Sequence, residues 1–338
     1  MKSTQFVVVE PGRIELQEAD IDESLQPYET LVRSEYTIVS AGTEGAGFTG
    51  LVKEMPFGDS GQYPRTTGYG HLGEVLAVGA EVSSCKPGDR VLSFSRHASV
   101  VKVDTRRMAL PTPKETPGTR MVFARMAGVS IGAVRSSSVQ PGDTVLVVGM
   151  GLVGNFACQL FRLAGAEVMA VDLSDFRLER AKRCGIERTV NPNQENLKET
   201  VMAWTEGKGA RIVVEAIGNS RTICEAALLT RSYGELILLG SPRARAQIDV
   251  TPMLLHIHME AIRMIGALEW RWPTHESERD RSLLDNYRQI VRWIAEDRIV
   301  TEPLLSHLAR PTDCQRIYEG LTQRREEFLS GVFDWKET

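Results

Sequence analysis

Three glycines with the spacing G-x-G-x-x-G lie in the segment VLVVGMGLVG, residues 145–154. Gly149 permits a tight turn after an apolar strand, Gly151 lets the backbone approach a pyrophosphate, and Gly154 allows a helix to pack closely on that strand. The free N–H groups and the dipole at the start of this helix favour negatively charged phosphates. These residues predict a dinucleotide site, and the alternative is a glycine turn in another type of α/β domain.

A carboxylate stands where the ribose of such a cofactor would be bound. Asp172 ends the next apolar strand, in VMAVDLSD, about 20 residues after the glycines. It would accept hydrogen bonds from the ribose 2′-hydroxyl and repel a 2′-phosphate, so we expect NAD(H) rather than NADP(H). Arg177 lies close by and could pack over the adenine or meet solvent. The other candidate cofactor contacts lie at the glycine loop and after two later strands: Leu152, Val153, Ala216, Gly218, Leu239 and Gly240.

The elements that must position these residues change in character along the chain. Before residue 119 the apolar stretches are short and separated by turn residues, which predicts β-structure. From residue 144 onward strands and helices alternate, a pattern typical of a parallel sheet covered by helices. Glycine-dense stretches at 42–50 and 68–73 predict two tight, irregular loops.

These patterns together predict an α/β protein. Its predicted strands are 6–10, 13–18, 29–39, 73–78, 90–92, 144–148, 167–171, 211–215, 235–239, 263–268 and a short strand at the C-terminus. Its predicted helices are 119–133, 152–164, 175–184, 283–296 and 312–323.

Length and composition bound the class of protein. The 338 residues suit two domains, and 42% hydrophobic with 25% charged residues is ordinary for a globular protein. A net charge of −4 does not indicate the excess of basic residues that is typical of proteins that bind nucleic acid or an anionic membrane. No apolar run reaches the roughly 20 residues of a membrane span, and the N-terminus lacks a signal-peptide pattern. Five cysteines without CxxC spacing predict free thiols. We therefore expect a soluble, cytoplasmic protein that acts on a small molecule.

Several segments, in order, resemble the medium-chain dehydrogenase/reductase family: SAGTE at 40–44, GEVLAVG at 73–79, KPGDRVL at 86–92, AGVSIGA at 127–133, PGDTVLVVGMGLVG at 141–154 and EAIGNS at 215–220. The resemblance implies a GroES-like, β-rich catalytic domain over 1–121, completed by 270–338. It also implies a Rossmann domain with a doubly wound parallel sheet over 122–269. Family members form homodimers by pairing the edge strands of two Rossmann sheets, and the matching strand here is RMIGAL. The alternative is a monomer with that edge covered by a helix.

The chain departs from the family's zinc enzymes at each of the three zinc-ligand positions. Those positions fall on Ala41, Tyr69 and Ala127. Alanine cannot bind a metal, and a catalytic zinc needs about three protein ligands. The cysteine-rich structural zinc lobe that follows GDRV in those enzymes also has no counterpart. The chain therefore resembles a zinc-free branch, and SAGTE, FTG, MPF, YP and GYGHLGEV resemble the subgroup that contains bacteriochlorophyllide hydroxyethyl dehydrogenase. We expect no bound metal.

Without a metal, a positioned acid or base must move the hydroxyl proton while the cofactor carries the hydride. Tyr69 takes the place of the family's metal-binding histidine, and its phenol could donate to or accept from the substrate oxygen. Thr43 matches the hydroxyl residue that begins the family's proton relay, and Lys53, Glu44 and His71 could assist. Each has a structural alternative: Tyr69 could simply fill the vacated pocket, Thr43 could order its loop, and His71 could be structural.

Four further side chains are candidates for contact with the substrate: Arg96, His97, Trp270 and Trp272. Indole faces stack on rings, and arginine binds hydroxyls or an anionic group. We expect a polar, cyclic secondary alcohol, such as a sugar, cyclitol or glycoside, to be interconverted with its ketone. The tryptophans could instead pack in a domain or dimer interface.

Two other functions stay open at this stage. The first is a zinc-free enone or quinone reductase, against which Asp172 argues because such relatives generally use NADPH. The second is a non-catalytic NAD-binding protein.

Overall fold

The computed structural model describes residues 1–51, 62–275 and 282–336. The chain divides into two compact units. The first unit comprises Met1–Met126 and Trp272–Thr338, and the second comprises Ala127–Arg271. Both ends of the chain therefore contribute to the first unit. Among the described residues, no helix is both long and apolar enough to cross a bilayer.

The first unit is built mainly from two sheets. Its strands are β1 (Lys2–Glu10), β2 (Arg13–Asp20), β3 (Glu29–Ile38), β4 (Arg65–Thr66), β5 (His71–Val78), β6 (Arg90–Ser93), β7 (Val100–Asp104), β8 (Ala109–Pro111), β15 (His307–Ala309) and β16 (Gly331–Asp334). A small antiparallel sheet has the order β2-β1-β4, and the larger sheet has the order β15-β16-β3-β5-β6-β8, with β7 also paired to β3. Because β16 pairs with β3, the C-terminal segment completes the larger sheet.

Aromatic side chains fill one core of the first unit. Phe6, Phe333 and Trp335 pack together, with ring centroids about 5 Å apart, and all three are buried. Each fully buried aromatic or aliphatic side chain of this size stabilises the fold by roughly 1.5–3 kcal/mol. A second core between strands contains small branched residues such as Val32 and Val91. The short apolar stretches that predicted these strands therefore supply the residues of this core.

The glycine-rich stretch 42–50 is a helix, α1 (Ala41–Thr49), so the predicted irregular loop is wrong there. The Glu44 N–H donates to the Ser40 carbonyl, and Gly50 ends the helix in the left-handed region with φ of 82°. Glycine disfavours a helix interior by about 1 kcal/mol relative to alanine. Burial of Phe48, whose ring centroid lies 5.5 Å from that of Tyr318, offsets that cost.

The other helices of this region follow the predictions more closely. The predicted helix 119–133 is divided into α2 (Gly118–Met121) and α3 (Ala124–Ser136). The amphipathic helices near the C-terminus are confirmed as α9 (Leu283–Ala295) and α10 (Cys314–Gln323). The second glycine-dense stretch is irregular only up to residue 70, because His71 begins β5.

The second unit contains a single six-stranded parallel sheet, and the predicted α/β fold with a doubly wound sheet is confirmed. Its strands are β9 (Thr144–Val148), β10 (Glu167–Val171), β11 (Arg188–Val190), β12 (Ala210–Glu215), β13 (Thr230–Leu238) and β14 (Arg263–Gly266), in the order β11-β10-β9-β12-β13-β14. The intervening helices are α4 (Leu152–Leu163), α5 (Asp175–Arg183), α6 (Leu197–Trp204), α7 (Ser220–Ala227) and α8 (Thr251–Glu260).

The chain changes direction across this sheet at β9, which lies between β10 and β12. In sheets of this kind, ligands bind beyond the carboxyl ends of the strands at such a switch point. Gly149 follows β9 directly. The topology therefore places the glycine motif where a dinucleotide is expected.

Candidate active site and dinucleotide site

The glycine loop of the second unit leaves room for a phosphate group. Gly149 has φ of 99°, which favours glycine, and its amide donates to the Val171 carbonyl at 2.7 Å. A Cβ on Gly154 would collide with the Gly149 carbonyl oxygen, so α4 can pack this closely only with glycine there. A Cβ on Gly151 would meet nothing within 4 Å. Gly151 therefore borders open space at the start of α4, and the loop fits the pyrophosphate of a dinucleotide.

The Asp172 carboxylate is held at the end of β10, beside the glycine loop. Its Oδ2 accepts a hydrogen bond from the Met150 N–H at 2.6 Å, and its Oδ1 accepts one from the Ser174 N–H at 2.9 Å. The Arg177 guanidinium lies 3.9 Å from Oδ2. The side chain of Asp172 is 11% exposed, so a fixed negative charge borders the loop.

The remaining cofactor candidates lie after two neighbouring strands of the same sheet. The amides of Leu239 and Gly240 both donate to the Glu215 carbonyl, at 2.9 and 2.8 Å, and the Gly218 amide donates to the Glu215 carboxylate at 2.9 Å. Burial raises the pKa of Glu215, although the backbone amides that it accepts from oppose this rise. Glu215, which the sequence analysis missed, thus shapes the loop that contains Ala216 and Gly218. An acidic residue ending a buried strand was the available signal.

Tyr69 forms the centre of a polar group in the first unit. Its phenol donates to Ser40 Oγ and is also hydrogen bonded to the Thr43 side chain, at the start of α1. Tyr69 is partly buried and Thr43 is exposed. Burial raises the pKa of Tyr69 above its usual range; Arg125, Ser40 and Thr43 oppose the rise. The phenol is therefore protonated at neutral pH and can act as a proton donor.

Arg125, which the sequence analysis missed, lies against Tyr69. It is fully buried, and its guanidinium carbon lies 4.3 Å from the centre of the Tyr69 ring and 4.4 Å from that of Phe94. Its Nε donates to the Tyr69 carbonyl at 2.8 Å, and its Nη1 donates to the Tyr287 hydroxyl. An arginine near the start of the largely apolar helix segment FARMAGVSIGA was the available sequence signal.

Glu44 and His97 form a buried network rather than an exposed binding surface. Glu44 Oε2 lies 3.0 Å from His97 Nε2 and accepts from the hydroxyls of Tyr318 and Thr67 at 2.5 and 2.9 Å. Burial raises the pKa of Glu44, but the charge of His97 and these hydrogen bonds outweigh burial and lower it. His97 is fully buried, which corrects the expectation that it contacts a substrate. Both side chains instead fix α1 and residues 67–70.

His71 is fully buried at the start of β5. Its Nε2 lies 2.8 Å from Ser34 Oγ and its Nδ1 lies 2.8 Å from Ser93 Oγ. Burial, with a smaller effect of the charge of His97, lowers the pKa of His71 to about 3. Because His71 is neutral at neutral pH and both of its nitrogens are engaged, it supports the sheet, and its expected assistance in catalysis is corrected.

The other candidates are distributed as follows. Arg96 is exposed in the loop after β6. Trp270 is 54% exposed in a short 3-10 helix, Glu269–Arg271, of the second unit, whereas Trp272 is partly buried and belongs to the first unit. Lys53 lies outside the described residues.

The three positions that match the family's zinc ligands do not fit a zinc ion. Ala41 begins α1, Ala127 is fully buried in α3, and neither has a donor atom. The remaining position, Tyr69, has the positive charge of Arg125 against its ring, which would repel a cation. Across residues 1–51, 62–275 and 282–336, no group of three or more His, Cys, Asp or Glu side chains is placed to hold a metal ion.

The chain is similar to dehydrogenases along its whole length. Residues 153–278 match the family described as zinc-binding dehydrogenase. L-threonine 3-dehydrogenase from Symbiobacterium thermophilum is 26% identical over 68% of this chain and 74% of its own length. A zinc-type alcohol dehydrogenase-like protein of Escherichia coli K12, YdjJ, is 24% identical over 98% of this chain and 99% of its own length.

Solved structures share the fold. An Escherichia coli oxidoreductase/dehydrogenase of unknown specificity superposes with a TM-score of 0.84 over 99% of both chains, at 21% identity. Two further structures, each with a TM-score of 0.81, contain a nicotinamide cofactor. A dehydrogenase from Sinorhizobium meliloti 1021 (19% identical, 99% of both chains) is bound to NADP, and an alcohol dehydrogenase from Escherichia coli CFT073 (17% identical, 98% of this chain and 99% of its own) is complexed with NADH.

These matches show that the chain is similar to enzymes named as alcohol and threonine dehydrogenases and, over residues 153–278, to the zinc-binding dehydrogenase family. Its expected GroES-like and Rossmann architecture is confirmed. The segment matched by the zinc-binding family begins at residue 153 and so contains none of Ala41, Tyr69 and Ala127. The family name therefore does not bear on whether these three positions hold zinc.

Proposed function

We propose that this enzyme is a zinc-independent, NAD(H)-dependent oxidoreductase that interconverts a secondary alcohol and its ketone, with Tyr69 as the proton donor and acceptor. The proposal rests on one observation: a partly exposed phenol, hydrogen bonded to Ser40 and Thr43, stands where zinc enzymes of the family have a histidine. Ala41 and Ala127 occupy the other two ligand positions.

The second unit supplies the cofactor site in this proposal. When bound, the nicotinamide ring accepts or donates the hydride. The glycine loop would hold the pyrophosphate at the open space beside Gly151, and Asp172 would accept hydrogen bonds from the adenosine ribose. The fixed negative charge of Asp172 would repel a 2′-phosphate, which supports NAD(H) over NADP(H). The positive charge of Arg177, 3.9 Å from Asp172, would offset part of this repulsion.

Tyr69 would move the proton. During ketone reduction the substrate oxygen gains the phenolic proton of Tyr69 and becomes a hydroxyl, and during alcohol oxidation the phenolate takes that proton back. Since burial raises the pKa of Tyr69, the phenol is in the donor form at neutral pH, which favours reduction of a ketone. Thr43, exposed and hydrogen bonded to Tyr69, could return the proton from solvent.

The substrate class proposed is a polar, cyclic secondary alcohol. Trp270 presents more than half of its surface to solvent and could stack on the C–H face of a ring, and Arg96 is an exposed cation in the first unit. Trp272 is partly buried, which favours its alternative role in packing. Replacing Trp270 by Ala should raise the KM for such a substrate and leave NAD binding intact.

The test of the reaction itself uses Tyr69→Phe with Tyr63→Phe as the matched control. Tyr63 is a partly buried tyrosine of the same unit whose phenol donates to the Gly47 carbonyl instead of to Ser40. We expect Tyr69→Phe to lower kcat at least a hundredfold, in the range of general acid catalysis, while NAD affinity stays unchanged. Cyclic polyols with NAD, and quinones or enones with NADH and NADPH, are assayed side by side. Full activity in Tyr69→Phe, or turnover of quinones alone, would reject the proposal.

A homodimer is also proposed, formed through β14. This strand is the edge of the six-stranded sheet, and Met264 on it is 48% exposed. The adjoining helix α8 presents Leu254, Leu255 and Met259, each more than half exposed. An open apolar edge is an aggregation hazard, and pairing with a second copy removes it.

A further inference from the structure

We propose that the buried guanidinium of Arg125 supplies the positive charge that a metal ion supplies in zinc enzymes, by stabilising the negative charge that develops on the Tyr69 oxygen during proton transfer. Arg125 is a positioning residue in this scheme, since it acts through Tyr69. The inference rests on the proposed role of Tyr69.

The burial of Arg125 is the first observation that carries the proposal. It is among the largest of the fully buried side chains in the part of the chain that the structure describes. Removing a charged group from water is strongly unfavourable unless its surroundings compensate. The two aromatic rings at 4.3 and 4.4 Å, from Tyr69 and Phe94, provide part of that compensation through their electron-rich faces.

The orientation of the guanidinium is the second observation. Its Nε donates a hydrogen bond to the Tyr69 carbonyl, and its Nη1 donates one to the Tyr287 hydroxyl. The Tyr287 hydroxyl in turn donates to the Arg125 carbonyl at 3.2 Å. Tyr287 is itself fully buried in α9. The positive charge is therefore fixed beside one face of the Tyr69 ring before any substrate binds, and fixed charges stabilise a developing charge without reorganisation.

The chemical step is a balanced proton transfer. As the ketone carbon receives the hydride of the reduced cofactor, its oxygen forms a bond to the Tyr69 proton. The O–H bond of Tyr69 breaks, its electron pair stays on the phenolate, and the phenolate later takes up one proton from solvent, which is the proton that the overall reduction consumes. The groups facing Tyr69 are Arg125, the hydroxyls of Ser40 and Thr43, and Glu44. The negative charge of Glu44 disfavours the phenolate. This charge is partly offset, because Glu44 accepts hydrogen bonds from Tyr318 and Thr67 and contacts His97.

The experiment measures the phenol pKa at position 69 directly. A fluorinated tyrosine is placed there, because fluorine lowers a phenol pKa to where the folded protein can be titrated, and phenolate absorbance is followed without cofactor or substrate. Arg125→Gln should raise this pKa by at least one unit, a tenfold change in the ionisation constant. Arg125→Lys, which keeps a charge, should restore most of the difference.

Arg120→Gln is the matched control, because Arg120 is a partly exposed arginine of the same unit that pairs with Asp297 and Glu302. It should leave the phenol pKa unchanged. If Arg125→Gln does not fold, as judged by circular dichroism, Tyr287→Phe replaces it. This variant removes the hydroxyl that accepts from the Arg125 guanidinium, and it should raise the phenol pKa by less than Arg125→Gln is expected to. An unchanged or lower pKa in the folded variants overturns the role of Arg125.

Failure here is distinguishable from failure of the proposed function. The titration needs neither turnover nor a known substrate, whereas the proposed function is judged by the kcat of Tyr69→Phe. An unshifted pKa together with an inactive Tyr69→Phe rejects the role of Arg125 alone.

Discussion

The side chain of Arg125 holds Tyr69 at two points. Its guanidinium carbon lies 4.3 Å from the centre of the Tyr69 ring, and its Nε donates to the carbonyl oxygen of the same residue at 2.8 Å. Backbone and ring of Tyr69 are thus fixed by one buried cation, and the phenol is directed to Ser40 Oγ. The phenol of Tyr69, whose pKa is raised by burial, thus lies beside a fixed positive charge.

Cofactor choice should depend on Asp172. NAD(H) is expected to bind at least tenfold more tightly than NADP(H), about 1.4 kcal/mol, because the carboxylate repels a 2′-phosphate. Asp172→Ala should narrow this difference, as measured by fluorescence titration. Glu179→Ala removes a carboxylate of the following helix, α5, and should leave the preference intact. Equal affinity of the wild type for both cofactors would contradict the ribose assignment.

Gly151→Ala should weaken cofactor binding without lowering the stability of the protein. A Cβ at Gly151 meets nothing in the protein, so Tm should change little, yet it would occupy the space of the pyrophosphate and weaken NAD binding at least tenfold. Gly266→Ala is the control, because a Cβ there also meets nothing within 4 Å and the residue lies on β14. The two variants are compared by calorimetry. Unchanged NAD affinity in Gly151→Ala would place the pyrophosphate elsewhere.

Purified enzyme should contain far less than one zinc per chain by elemental analysis. Ala41 and Ala127 offer no ligand, and catalytic zinc requires about three. Activity should survive a strong chelator. Zinc that stays stoichiometric after dialysis, or loss of activity restored by added zinc, would refute zinc independence.

His71 should make the protein less stable in acid. Its pKa is about 3 in the folded protein and close to the ordinary histidine value of 6.5 in the unfolded chain, so the unfolded chain binds a proton first as pH falls. This pKa difference adds to the free energy of unfolding in full above pH 6.5. As the pH falls from 6.5 towards 3, the free energy of unfolding decreases by about 1.4 kcal/mol per pH unit. Urea denaturation at pH 7 and pH 5 should show a smaller difference for His71→Gln than for wild type. His258→Gln, at an exposed site on α8, should behave like wild type.

Met264→Lys should disrupt the proposed dimer. The charge would lie on the edge strand β14, where two copies are expected to pair, and paired strands disfavour facing like charges. Light scattering at micromolar concentration should give the mass of two chains for wild type and of one chain for the variant. Leu308→Lys changes an apolar residue of similar exposure in the first unit and should leave the dimer intact. A monomeric wild type would rule out this interface.

The candidate dinucleotide site could be predicted from the sequence because the residues that would form it are close together along the chain. A turn, a phosphate-binding helix start and a ribose carboxylate lie within about 25 residues, and each requirement restricts the residue type at one position. The same holds for β9, β10 and β12, where runs of branched residues separated by turn signals reflect burial on both sheet faces. Only the short strand β11, with Arg188 exposed, escaped this pattern.

Contacts between distant segments decided the features that the sequence did not predict, namely helix α1 and the polar groups around Glu44 and Arg125. The glycines of 42–50 favour a loop by local propensity, yet packing of Phe48 on Tyr318, 270 positions later, makes the segment a helix. The network of Glu44 likewise requires His97 and Tyr318 to meet it from other elements. Arg125 precedes a family-like segment but belongs to no catalytic motif, and its surroundings consist of rings contributed by three separate segments. The sequence by itself thus determined the class of fold and the candidate cofactor site. Burial and long-range packing decided which polar residues surround Tyr69, because the cost of burying a charge is met only by partners that the tertiary structure brings together.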